Sequence, residues 1–172
     1  MIRILLLATL LPCLTSWASA VEPQPVELDQ LRLYVPIPEL EDRFGSDIKP
    51  LATYVKALEK RSRELLEQEK PPKAKGLLVA VGMKSKASNR IWCEAVDGDM
   101  PAELLKRIEK ELALIEGVDL KKGPAGFALE VKLFGQKPEK YPEFPSSWIE
   151  AAKKHQTPLS PPDELFKNIW PD

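Results

Sequence analysis

The stretch GLLVAVGMKSKASNRIWCEAVDG, residues 76–98, decides most of what this chain can become. Leu77, Val79, Val81 and Met83 alternate onto one face of a strand, SKASN turns the chain, and RIWCEAV runs back. That is the pattern of a β-hairpin. Asp97, Gly98 and Asp99 end the second strand, and Pro101 opens a helix on which Leu104, Leu105, Ile108, Leu112 and Ile115 form one apolar stripe, with Gly117 placed to stop it. After KKGPAG, the run FALEVKLFG predicts a third strand with Phe127, Leu129, Val131 and Leu133 inward and Glu130 and Lys132 outward.

A further helix is expected ahead of the hairpin. Leu51, Val55, Leu58, Ser62 and Leu65 fall on one stripe, while Lys56, Lys60, Arg63 and Glu67 look outward. Asp47 is the candidate N-cap, Pro50 lies in the first turn, and Pro71 with Pro72 forbids continuation. Before it, LRLYV alternates Leu31, Leu33 and Val35 with Arg32 and Tyr34, a strand pattern stopped by Pro36 and Pro38. A short helical turn over residues 39–44 closes at Gly45.

The first twenty residues, MIRILLLATLLPCLTSWASA, carry one positive charge, an apolar run from Ile4 to Leu14 and the small-x-small ending Ala18, Ser19, Ala20. This reads as a secretory signal peptide cut after Ala20, and the apolar run is too short to cross a bilayer, which needs about 20 residues. Lipidation at Cys13 is the rival reading, against which Pro12 stands where a small residue is usual. Removing these 20 residues from 172 leaves 152, enough for one ordinary domain. The mature chain then has 24 basic against 26 acidic residues, a net charge of about −2. Such a balance lacks the polybasic stripe that grips nucleic acid or anionic lipid. Cleavage also removes Cys13, so Cys93 has no partner for an internal disulfide.

The expected fold class is α+β. A small antiparallel sheet, built from a helix–strand–strand–helix–strand core over residues 47–135 with an extra N-terminal strand in residues 21–46, packs on helices. Residues 136–172 are rich in proline and aromatics, and Tyr141, Phe144, Trp148, Ile149, Leu165, Phe166, Ile169 and Trp170 are too apolar for a free linker. They are expected to wrap the domain and dock. Ser147 with Glu150, and Ser160 with Asp163, are candidate capping boxes for two short helices in this tail.

No pattern in the chain names a reaction, a cofactor or a metal. Cys93 reads as a small core hydrophobe, as a nucleophile activated by His155, the one histidine, or as an exposed thiol for intermolecular pairing. The first is our expectation, since alternation puts Ile91, Cys93 and Ala95 on one strand face. One His and one Cys sixty-two residues apart have no metal-ligand spacing, and neither KGLLVAVG nor KKGPAG matches a phosphate-binding fingerprint. A carboxylate pair for glycoside cleavage leaves no spacing in sequence and is visible only as a polar cleft. Trp92, with Glu94, Glu130 and Lys132, belongs to the opposite face and forms the candidate partner-binding surface. A tryptophan there is either covered by the aromatic tail or open to a partner, and the tail is the expected cover.

The order helix, hairpin, helix, strand over residues 47–135 resembles the periplasmic C-terminal domain of the TonB and TolA energy-transducing families. The resemblance implies a small sheet on helices that binds partner proteins through strand edges. Those families keep an uncleaved anchor and a long Pro-rich spacer, whereas here a cleavable signal leads almost directly into the domain. What the resemblance leaves is a free-standing periplasmic or secreted module. Its expected partner is another envelope or secreted protein, or an extended peptide, taken on the edge of LRLYV or of FALEVKLFG. The alternatives are a small secreted hydrolase using carboxylates or Cys93, an inhibitor or immunity-type protein, and a structural envelope protein.

Overall fold

The computed structural model describes residues 26–69, 72–85, 87–160 and 163–171. The expected signal peptide, its expected cleavage site and Cys13 lie outside the described residues.

The run without a polar interruption takes the middle of the sheet. β2 (Gly76–Ser85) is buried from Gly76 to Met83, which requires neighbours on both sides and cover on both faces. It pairs antiparallel with β3 (Ser88–Val96) through the hairpin and with β4 (Ala125–Leu133) on its other side. β1 (Val26–Leu33) pairs antiparallel with the far side of β4, so the order is β1-β4-β2-β3. The helices are α1 (Ile37–Phe44), α2 (Lys49–Glu67), α3 (Ala102–Ala113), α4 (Ser146–His155) and α5 (Asp163–Ile169). The fold is α+β.

The two sheet faces have different chemistry. On one, Val79 and Val81 of β2 and Phe127 and Leu129 of β4 meet Leu51, Val55 and Leu58 of α2 and Ile108 and Leu112 of α3 in one buried cluster. Each such side chain, fully buried, contributes about 1.5–3 kcal/mol. On the other, Leu78, Ala80, Val96 and Ala128 are small or aliphatic, and Tyr141, Phe144, Trp148, Leu165 and Phe166 of the tail lie over them. Trp148 is fully buried and stands edge-on to Trp92 and Phe166, with ring centroids 5.0 and 5.2 Å away. Gly82 makes this close approach possible, since a Cβ there would meet the Phe166 ring at 2.9 Å and Trp92 at 3.1 Å.

Local pattern and structure differ at several ends. β1 starts at Val26, five residues before Leu31, because a register shift between Leu28 and Gln30 breaks the alternation that would have carried the reading back. Pro36 and Pro38 do not merely stop that strand. Pro36 is the N-cap of α1 and Pro38 falls in its first turn, where the missing N–H is not needed. α3 ends at Ala113, short of Gly117, and its exit is tied by Asn89 Nδ2 donating to the Ile115 carbonyl at 2.6 Å. The Ser147 capping box is not made, because α4 opens two residues earlier, at Ser146 with Pro145 as N-cap. Ser160 Oγ donates to the Tyr34 carbonyl at 2.9 Å.

Candidate functional site: the outer edge of the sheet

The strand order leaves two edges, β1 and β3, and places FALEVKLFG inside the sheet. β4 therefore offers no edge, which corrects the expectation that it could. The β3 edge is occupied by α3, whose Glu109 carboxylate accepts from the Cys93 backbone N–H at 2.8 Å. β1 is the edge that remains.

Its geometry follows from two hydrogen bonds. Tyr34 N–H donates to the Gly126 carbonyl at 3.0 Å, and with Leu33 opposite Phe127 this makes Arg32 and Gln30 the residues whose backbone groups face β4. Leu31 and Leu33 then turn their N–H and C=O away from the sheet. Before the bulge, Leu133 N–H donates towards β2, to the Lys75 carbonyl at 3.0 Å, so Val26 and Leu28 also face out. The Val26 carbonyl accepts from Arg63 Nε at 3.3 Å. The outward groups of Leu28, Leu31 and Leu33 have no partner strand among the described residues. Leu31 is 37% exposed, and it sits on the helix-side face opposite Leu129. On the other side of the strand, a cleft of about 370 Å³ is lined by Arg32, Tyr34, Lys140, Tyr141, Glu143 and Ser160.

The four residues singled out in the sequence share one face, and each has a partner within the chain. Trp92 packs among Trp148, Phe166 and Trp170, with the Arg90 guanidinium 5.3 Å from its ring. Glu94 accepts from both the N–H and the Oγ of Ser146, at 2.7 and 2.9 Å, and so holds the start of α4. Glu130 is 4% exposed and ion-paired with Arg32, which also donates to the Pro142 carbonyl at 2.9 Å. Burial raises the Glu130 carboxyl above its ordinary value, with Arg32 opposing. Lys132 Nζ lies 2.6 Å from Asp29, the residue at the β1 bulge.

Cys93 is partly buried against the helix-side core, and burial, reinforced by Glu109, pushes its thiol pKa well up. His155 ends α4, whose Trp148 and Ala152 belong to the opposite face, so the sheet stands between the thiol and the imidazole. The two do not form a dyad. Among the described residues no group of three or more His, Cys, Asp or Glu side chains could hold a metal ion, and no helix is long and apolar enough to cross a membrane. The outward backbone of Leu28 was missed in the sequence, although Val26 and Leu28 already alternate with Glu27 there. Compared with family models, curated proteins and solved structures, the chain matches nothing.

Proposed function

We propose that this chain is an exported, non-catalytic module that binds an extended peptide or protein segment along β1, the role its TonB/TolA resemblance implies. The observation that carries the reading is the outward row of backbone groups at Leu28, Leu31 and Leu33, without a partner strand among the described residues while α3 occupies the other edge. A strand laid there would complete the unpaired donors and acceptors, and its alternate side chains would meet Leu31 on one side and the Arg32 and Tyr141 cleft on the other. The bulge at Asp29 interrupts the row, so a short occupant fits better than a long one.

The test is selection from a random-peptide library on the chain beginning at Val21, followed by amide shift mapping. We expect selected peptides to alternate apolar residues and to shift the amides of Leu28, Leu31 and Leu33. Leu31→Pro removes one outward donor without touching the β4 ladder, and should weaken binding at least about tenfold at unchanged fold. Peptides that bind Leu31→Pro equally well would sink the edge reading. Export is tested separately by the N-terminal residue recovered from an expressing cell, with Val21 expected and Met1 contrary to it.

A further inference from the structure

A cleft of about 380 Å³ lies between α5 and the loop that precedes β4. Lys84 from the end of β2, Lys121 and Lys122 from the loop and Lys167 from α5 line it, with Pro124 and Phe166 as apolar wall. Four lysines contribute to its lining, on a chain whose net charge is −1.

The one acid in the lining, Asp163, is already neutralised. Both its oxygens accept from Arg43, at 3.2 and 2.9 Å, and Arg43 is itself only 8% exposed. The lysine-bearing loop is held in place against this pair. Gly123 has φ +61°, and a Cβ on it would lie 3.3 Å from the Asp163 carboxylate and 3.4 Å from the Arg43 guanidinium. A larger residue would be strained there, so the loop's position is set before any ligand arrives. Lys122 pairs with Asp42 at 3.3 Å, but both side chains are mostly exposed, and such a contact is readily exchanged for a stronger anion. The Lys84 ammonium lies 5.1 Å from the Trp170 ring centroid, and that of Lys121 rests beside Gly45. Their side chains are long enough to swing towards an anion in the cleft, and a lining rich in lysine raises the local concentration of anions.

We propose that this cleft binds a small polyanion, a phosphorylated or polycarboxylated molecule with two or more negative charges, its charged end among the lysines and its remainder against Phe166 and Pro124. Lysine suits this as a flexible point charge that does not demand one planar ligand geometry. The site is independent of the β1 edge.

The experiment is calorimetric titration of the chain with inorganic pyrophosphate and, separately, with citrate, in low-salt buffer. Saturable binding with one site per chain is expected, weakened about tenfold or more by Lys84→Gln with Lys167→Gln. A control pair, Lys153→Gln with Lys154→Gln on exposed positions of α4, should leave it unchanged. Binding of pyrophosphate alone marks a phosphate ligand, binding of citrate alone a carboxylate, and both support the site. Should the first pair unfold, Lys122→Gln alone, at a largely exposed side chain, must still weaken binding. Equal loss in the control pair, or no binding by either probe at millimolar concentration, overturns the proposal.

Discussion

Cys93 shows how one residue's environment decides its chemistry. The thiolate is the reactive form, and here the apolar surroundings and the Glu109 carboxylate both disfavour it. At neutral pH the native thiol should therefore react with a thiol reagent far more slowly than in denaturant. Cys93→Ser should fold, lose about 1 kcal/mol for placing a hydroxyl where an apolar sulfur packs, and keep any binding activity. Rapid labelling of the native protein would contradict this reading, as would loss of peptide binding in a folded Cys93→Ser variant. Glu94 and Ser146 make the complementary case of polar residues absorbed into structure: a carboxylate on a sheet face is satisfied by the first turn of α4.

At the scale of elements, the weight of the second face rests on α4. Trp148 is fully buried with rings on several sides, whereas Trp170 keeps part of its surface in water. Trp148→Ala should cost about 3–5 kcal/mol in denaturant unfolding, a large share of a domain's stability, and Trp170→Ala clearly less. Equal losses would mean that α4 is not the anchor. The helices and strands themselves were legible in sequence because their apolar periods run long enough to be unambiguous: the stripe from Leu51 to Leu65 is buried as read, and so is Leu77 to Met83. Element ends were less legible. Whether Ser147 or Pro145 starts α4 depends on Glu94, fifty-two residues from Ser146, and no local pattern encodes that contact. The candidate edge was half legible for the same reason. Alternation finds the strands, but their order in the sheet is set by pairing between distant segments, and only that order puts FALEVKLFG inside and Leu31 at the rim.

For the molecule as a whole, the sheet is a middle layer whose aliphatic face carries helices and whose other face carries aromatics over a buried acid. Glu130 sits on this second face between β1 and β2, with Arg32 as its counter-ion and Asp29 adding negative charge nearby. Its carboxyl pKa is raised in the folded state above the ordinary 4.5, burial being the largest cause. The folded chain thus holds this proton more tightly than the unfolded one. The resulting stabilisation is fully present below about 4.5 and is lost as pH rises through the folded value. The whole chain's stability responds to pH through many groups, so the test is a difference between two proteins. Glu130→Gln keeps the shape and removes the charge, while Arg32 retains its bond to the Pro142 carbonyl and partial contact with water. Thermal unfolding of both proteins from about pH 7 to about pH 4 should show the variant relatively most stable at the neutral end, with its advantage shrinking on acidification. An advantage that stays constant across that range, or grows in acid, would mean that the Arg32 pair outweighs burial and that this face is tuned for a charged Glu130.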